Sequence, residues 1–178
     1  GGRLDRQAFW QHGMRCALGC RALARHLRRD AEAAFTAGLL HDLGELAMDT
    51  LWPEEYAPIL EQSTTCSPER LLLERARFGL DHARFGGELA RLWNFPVEIQ
   101  MAILRHLDPD AEPCVPLGDV VFVADRAIRM HERGADPMAI LEALPETVRT
   151  RLGLDADLLE RICESAQVAG FYTDMLMS

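Results

Sequence analysis

An imidazole and a carboxylate stand side by side in an apolar stretch of this sequence. Residues 35–51 read FTAGLLHDLGELAMDTL, with His41 and Asp42 in the middle of a segment whose apolar spacing predicts a helix. Burying ionisable side chains costs free energy unless they are paired or bind a metal. The small residues Gly38 and Gly44 leave room for other groups to approach. The pair is therefore the first candidate for a chemical site.

Four further ionisable residues fall on or beside the apolar faces of other predicted helices: His12, His82, His106 and Asp125. With His41 and Asp42 they supply imidazoles and carboxylates that suit a divalent transition metal such as Fe, Mn, Ni or Zn, as one ion or two. Each residue alone has a simpler explanation, because a buried histidine usually bonds a carbonyl group and a buried carboxylate an arginine. Arg126 and Arg129 are near Asp125 in sequence, but we place neither on its face. Six such groups together favour metal binding.

Helical periodicity dominates the chain, and no segment shows the sustained alternation typical of strands. We predict helices over residues 5–29, 31–51, 53–62, 68–78, 82–93, 96–107, 117–133, 137–143, 145–151 and 155–175. Asp30, Ser67 and Asp81 are expected N-caps, and Gly79 is expected to end a helix. The predicted fold class is all-α, an irregular multi-helix bundle in a single domain over residues 1–178.

The composition limits the class of protein. The 178 residues are 48% hydrophobic, which is enough for one substantial core, and no apolar run reaches the roughly 20 residues of a bilayer span. All 19 basic residues are arginine, which excludes chemistry that needs a lysine. The net charge of −9 argues against nucleic acid as a partner. The cysteines lack any C-x-x-C spacing, so a cytoplasmic location is expected, with free thiols at Cys16, Cys20, Cys66, Cys114 and Cys163.

Several stretches resemble a known family. HDLGE resembles the signature of the HD superfamily of metal-dependent phosphohydrolases, and its surroundings resemble the HDOD domain, the HD-related output domain of bacterial signalling proteins. The resemblance covers about residues 6–130, and ERARFGLDHARFGGELARLWNFP is its most specific part. It implies an HD-domain-like fold and an output role through signalling-protein partners or a sensor or receiver domain. The family's usual N-terminal helical subdomain is not visible, so the sequence resembles the C-terminal part of a longer protein or a distinct truncation.

By position, the resemblance implies that the metal-binding residues of the superfamily correspond to His12, His41, Asp42, His82, His106 and Asp125. Two departures count against catalysis. Where the related HD-GYP phosphodiesterases have lysine after H-D-x-G, this chain has Glu45, whose negative charge would repel a phosphate group. The stretch RHLDPD lacks the second histidine and the following G-Y-P signature of those enzymes. Two other interpretations of Glu45 are open. In the first it is an exposed residue of the helix; in the second it is a metal ligand, or a hydrogen-bond acceptor, near His41.

Three functional hypotheses remain open. The first is a signalling output module that acts through protein contacts, whose polar cluster binds a structural metal or none. The alternative is a metal-dependent phosphohydrolase acting on a nucleotide or cyclic nucleotide, with Asp42, Glu45 and Arg105 as candidate catalytic residues. Arg84 and Arg105 are then the cationic groups expected near the substrate. The third is a purely structural core network with buried waters.

Two expectations concern packing and association. Trp93 is predicted to pack into the core as a large apolar anchor, beside a helix that Pro96 begins. Residues 1–30 hold seven arginines against two aspartates, whereas the rest of the chain is acidic. This contrast favours weak, salt-dependent association with a partner or a second copy, giving a homo-oligomer in the latter case.

Overall fold

The structure of the chain is a computed structural model that describes residues 2–65 and 67–177, with side chains as far as residue 168. Every regular element in these residues is a helix, which confirms the all-α prediction. Among the described helices, none combines the length and apolar character that crossing a bilayer requires. The helices are α1 Arg6–His26, α2 Ala31–Leu40, α3 Leu43–Leu51, α4 Pro53–Gln62, α5 Pro68–Phe78, α6 His82–Leu92, α7 Val97–Arg105, α8 Pro116–Glu132, α9 Pro137–Ala143, α10 Glu146–Leu152 and α11 Ala156–Met177.

Local capping explains several helix boundaries. The side chains of Asp30, Ser67 and Asp81 each accept a hydrogen bond from a backbone N–H in the first turn of the next helix. Gly79 ends α5 in the left-handed conformation, with φ of 78°. These four predictions of helix starts and stops are confirmed.

The predicted single helix over residues 31–51 is wrong. The chain leaves α2 at His41 and re-enters a helix at Leu43, with Asp42 at φ −94° and ψ 11° between them. In a continuous helix, neighbouring side chains diverge by about 100°. The turn removes this constraint, so that His41 and Asp42 both face the same cluster of polar groups.

Close helix contacts bring the elements of this cluster together. The largest hydrophobic core contains residues of α1, of α2 and of every helix from α6 through α11. Met48, Tyr56 and Ile59 form a smaller core with residues of α5 and α6. A methyl group added at Gly38 would lie 2.9 Å from the carbonyl oxygen of Cys16, so only glycine lets α2 approach α1 this closely. The helices that position the cluster are therefore tightly packed.

Trp93 lies on the surface, so the prediction of a buried anchor is wrong. Its side chain is 57% exposed at the end of α6, where Asn94 turns the chain with φ of 58°. Phe95 packs against the main core instead. Pro96 precedes α7 as its N-cap rather than forming its first residue. The turn thus leaves Trp93 exposed and places Phe95 against the core.

The described cysteines are free thiols, as predicted: Cys16, Cys20, Cys114 and Cys163. Cys66 lies outside the described residues.

Candidate metal centre

Four helices and one turn bring the six predicted ligand side chains together. The four imidazole rings form a continuous row. Ring centroids are 5.5 Å apart between His12 and His41, 5.0 Å between His41 and His106, and 5.9 Å between His106 and His82. The side chains come from α1 (His12), the α2–α3 turn (His41 and Asp42), the first residue of α6 (His82), the residue after α7 (His106) and α8 (Asp125).

Three of these histidines have one ring nitrogen fixed and the other unpartnered. The Nδ1 atoms of His41 and His106 each donate to a carbonyl oxygen three residues earlier, at 2.8 and 2.7 Å, and His82 Nδ1 lies 2.8 Å from a carboxylate oxygen of Glu74. Their Nε2 atoms are buried and have no hydrogen-bond partner among the described residues. All three point towards Asp42, at 3.1 Å from His41, 3.3 Å from His106 and 3.8 Å from His82.

This arrangement fits metal ligation. A carbonyl oxygen only accepts hydrogen bonds, so the Nδ1 atoms of His41 and His106 carry a proton, and each ring offers its lone pair at Nε2 when it is neutral. Histidines that bind metals are held in this way, by an acceptor on the other ring nitrogen. Leaving three buried polar atoms unsatisfied costs free energy, and a cation among them would remove that cost.

Arg129 joins the two carboxylates of the cluster. Its Nε donates to Asp125 Oδ1 and its Nη2 to Asp42 Oδ2, both at 2.7 Å. Our placement of Arg129 away from the face of Asp125 is therefore wrong, because residues four apart on a helix share a face. Asp125 Oδ1 also lies 2.8 Å from His12 Nε2 and 3.4 Å from His41 Nε2.

The carboxylates of Asp42 and Asp125 stabilise positive charge on the groups around them. Burial raises the pKa of Asp42 and Asp125, but their cationic and hydrogen-bonding neighbours outweigh it and lower both pKa values well below the usual range. Burial lowers the pKa of His41, yet the two carboxylates raise it overall to about 10. In His82 burial is likewise outweighed, chiefly by Glu74, and the pKa is about 9. Burial keeps the pKa of His106 below its ordinary value.

A second buried network lies beside the first. Glu45 is 1% exposed and accepts a hydrogen bond from Arg70 Nη1 at 2.9 Å, so its interpretation as an exposed residue is wrong. Glu74 accepts from the hydroxyl of Tyr56 at 2.6 Å and from the backbone N–H of His82 at 2.9 Å. Because Arg70 pairs with Glu45, much of the repulsion that we expected Glu45 to exert on a phosphate group is offset.

The donor atoms fall into three groups whose members lie within 4.8 Å of one another. Burial and the nearby Asp125 raise the pKa of the Cys16 thiol well above its usual range, so it is neutral and a weak ligand. The remaining donors are imidazoles and carboxylates, which suit the divalent ions predicted from the sequence. The groups are His12, Cys16, His41 and Asp125; His41, Asp42 and His106; and Glu45, Glu74 and His82.

A cavity of about 330 Å³ opens onto the cluster between α1 and α8. Its lining includes His12, Asp42 and Arg129. Arg84 and Arg105, the cations expected near a substrate, line a different cavity, together with Arg75 and Asp81. Arg105 donates to the carbonyl oxygen of Glu112. The cations that contact the cluster are instead Arg129 and Arg70.

A buried cluster of histidines and aspartates on an all-α scaffold defines an HD-type helical domain. The family model of the HDOD domain matches residues 1–109, which is more than half of the chain. The protein belongs to the HDOD domain family, and the resemblance drawn from the sequence is confirmed. Asp125 lies beyond the matched residues, and the fold brings it to the cluster.

Several known proteins are similar to this chain. An uncharacterized protein of Treponema pallidum (strain Nichols) is 28% identical over 129 residues, which are 70% of this chain and 25% of that protein. A Shewanella amazonensis SB2B protein called "Putative phosphohydrolase" has a similar structure, with a TM-score of 0.76, 26% identity and coverage of 94% of this chain and 64% of its own. The MmoQ response regulator of Methylococcus capsulatus gives a TM-score of 0.69 at 28% identity, over 90% of this chain and 61% of its own.

An HDOD domain protein of unknown function from Geobacter sulfurreducens shows the same fold, with a TM-score of 0.77 at 23% identity, covering 97% of this chain and 63% of that protein. The chain thus spans a quarter of the Treponema protein and less than two thirds of the solved structures. Each of these proteins carries residues that have no counterpart in the present sequence.

Proposed function

We propose that this domain is a signal-transduction output module that acts through contacts with signalling proteins in the bacterial cytoplasm. The observation that carries the proposal is an exposed apolar surface at the α6–α7 junction, formed by Leu92, Trp93 and Val97. Their side chains are 61%, 57% and 70% exposed. Contiguous exposed apolar surface marks interaction sites, and tryptophan is enriched in the centres of protein interfaces.

The relatives support the same role. MmoQ is a response regulator, and its similarity extends over 90% of this chain. A response regulator passes a signal to another protein or domain, which requires a surface for that contact. The partner proposed here is therefore a signalling protein, an attached sensor or receiver domain, or a second copy of the chain.

We also propose that the buried cluster binds one or two divalent ions, with His12, His41, Asp42, His82, His106 and Asp125 as ligands. The three buried Nε2 atoms without hydrogen-bond partners among the described residues support this assignment. In a signalling module a bound ion would connect the four helices and the α2–α3 turn that supply its ligands. Glu74 would act on the ion through His82, whose Nδ1 it holds.

The alternative function is a metal-dependent phosphohydrolase acting on a nucleotide or cyclic nucleotide. The cavity of about 330 Å³ favours it, because this opening gives a small molecule access to His12 and Asp42. The name of the Shewanella protein points the same way. In such an enzyme a bound metal ion would supply an activated water molecule. Asp42 would help hold that ion, whereas Glu45 is committed to Arg70 and Arg105 lies at the other cavity.

Turnover and metal content together distinguish the two functions. Wild type and Asp42→Ala should be compared on cyclic dinucleotides, nucleoside phosphates and a chromogenic phosphodiester, with manganese, iron or nickel supplied. We expect equal, background rates for both, while elemental analysis shows metal bound to wild type and reduced in Asp42→Ala. Metal-dependent turnover that disappears in Asp42→Ala would establish the phosphohydrolase instead.

A further inference from the structure

The position of Arg129 raises a question about how the cluster accepts a metal. Its guanidinium donates to Asp42 Oδ2 and Asp125 Oδ1, both at 2.7 Å. The same two oxygen atoms lie 3.1 and 3.4 Å from the unpartnered Nε2 of His41. Arg129 therefore bonds the carboxylate oxygens that face His41, where a metal ion bound by His41 would need them. The other oxygen of Asp42, Oδ1, faces His82 and His106.

The charges make joint occupancy unfavourable. The two carboxylates, 5% and 8% exposed at their side chains, bond a guanidinium that is 16% exposed. A divalent ion on the same oxygens would lie close to this guanidinium in a poorly hydrated setting, where like charges repel strongly. It would also bring enough positive charge to balance both carboxylates by itself.

A cavity beside Arg129 gives its side chain room to move away from the two carboxylates. Its side chain lines the cavity that opens onto the cluster, and Glu132 and Arg15, which pair at 2.6 Å, line the same cavity. Arg70, the other arginine with a buried carboxylate partner described above, is held more tightly than Arg129. It is 3% exposed and is held by Glu45 and by the carbonyl and hydroxyl oxygens of Ser63, so it has no comparable exit.

We propose that Arg129 is an internal counter-cation that competes with a divalent metal for Asp42 and Asp125. Metal binding displaces the guanidinium into the cavity between α1 and α8, and loss of the metal returns it to the carboxylates. The metal state of the buried cluster thereby changes the charge presented in an accessible cavity. This inference rests on the metal-binding part of the proposed function.

The test is the affinity of the chelator-treated 178-residue chain for Mn²⁺, measured by titration calorimetry. Removing the competitor in Arg129→Met should tighten binding at least about tenfold relative to wild type, since coupled binding typically changes affinity by about 5- to 150-fold. Arg129→Lys, which keeps the positive charge but replaces the planar fork of donors with a single ammonium nitrogen, should be intermediate. Arg126→Met, which removes an exposed arginine of the same helix that lies over Phe122, should stay within about twofold of wild type.

Removing Arg129 leaves two buried carboxylates without their arginine, so a fold control is needed. The thermal midpoint of Arg129→Met should rise more with added Mn²⁺ than that of wild type, because tighter binding gives greater stabilisation. Where Arg129→Met does not fold without metal, the comparison of Arg129→Lys with wild type decides alone.

Three outcomes would contradict the inference, and they separate it from the proposed function. Equal Mn²⁺ affinity in wild type, Arg129→Met and Arg129→Lys would overturn the competition while leaving metal binding intact. Weaker binding in both variants would make Arg129 a support of the metal site rather than a competitor. No Mn²⁺ binding by any variant would overturn both the inference and the proposed metal site.

Discussion

The buried cluster and the α6–α7 junction reverse the usual distribution of side chains in opposite ways. The cluster holds ionisable residues with almost no exposure: His41 and His82 are 0% exposed and Asp42 is 4% exposed. The junction places an indole ring, Trp93, and two aliphatic side chains in solvent. Soluble proteins generally bury large apolar groups and leave charged ones outside. Both departures therefore require an explanation beyond packing.

The two regions differ in how the free-energy cost of their unusual side chains is offset. In the cluster, hydrogen bonds and ion pairs offset the burial of charge, so each side chain depends on its partners. At the junction the apolar side chains contact little of the rest of the fold, and their exposure to water costs free energy that burial against the proposed partner would recover. Changes in the cluster should thus reduce stability, while changes at the junction should leave stability unaffected and reduce association.

The largest effect is expected from Arg70→Ala. This change leaves Glu45 buried without its guanidinium partner, which should lower the free energy of unfolding by about 3–5 kcal/mol. Arg77→Ala is the matched control on the same helix, because that side chain is 57% exposed and should cost less than about 1 kcal/mol. Urea denaturation of both variants measures the difference.

A second substitution separates the charge of Glu45 from the packing of Arg70. In Glu45→Ala/Arg70→Ala no carboxylate is left unpaired, so its loss should be smaller than the sum of the two single losses. A loss below about 1 kcal/mol in Arg70→Ala would show that Glu45 reaches water, contrary to its burial in the structure.

The next effect in size is expected from Gly44→Ala, at the contact of α3 with α6. A methyl group there would press on the carbonyl oxygen of His82 and lie 2.9 Å from the backbone nitrogen of Gly86. The helices would have to separate, at about 2–3 kcal/mol, and metal affinity should fall because Asp42 moves away from His82. Gly118→Ala is the control, since its added methyl group meets atoms no closer than 3.4 Å.

Denaturation and Mn²⁺ titration of both glycine variants check this prediction. A Gly44→Ala variant with the stability and affinity of wild type would mean that α3 and α6 adjust without cost. The cluster would then be more adaptable than the close approach of the two helices indicates.

The sequence predicted those parts of the site that depend on local periodicity. Histidines and aspartates on apolar faces could be recognised, because a helical stripe predicts burial before the fold is known. The turn at His41 and Asp42 could not be recognised, since the surrounding residues are all compatible with a continuous helix. Whether His12 and the others bind metal stays a prediction, because the fold alone does not test it.

The partners of the cluster were harder to predict than its members. Arg129 was within reach of sequence reasoning, because it lies four residues after Asp125 on α8. Arg70 and Glu74 are also four residues apart, but this spacing is equally typical of exposed ion pairs. Only the fold, which brings Glu45 to Arg70 and both Tyr56 and His82 to Glu74, shows that they are buried. Trp93 was misplaced because its size suggests a core position, whereas the turn at Asn94 gives that position to Phe95.

The smallest effect on stability, and the most informative about the junction, is expected from Trp93→Ala. With 57% of its side chain exposed, Trp93 should contribute less than about 1 kcal/mol to the free energy of unfolding. Trp52→Ala is the matched control, because the Trp52 ring lies 5.4 Å from Phe78 and 5.6 Å from Phe85 and is less exposed, at 37%. Its removal should cost at least about 1–2 kcal/mol more.

The two substitutions should affect self-association in the opposite order, with the larger effect in Trp93→Ala. In sedimentation velocity over a range of protein concentrations, Trp93→Ala should self-associate less than wild type, whereas Trp52→Ala, compared at a temperature where it is folded, should behave as wild type does. Trp93 is expected to lie in the contact because it offers a large rigid surface that loses little conformational entropy on binding. A loss of 2 kcal/mol or more in Trp93→Ala, with unchanged association, would instead make the ring part of the folded structure and remove the surface on which the signalling proposal rests.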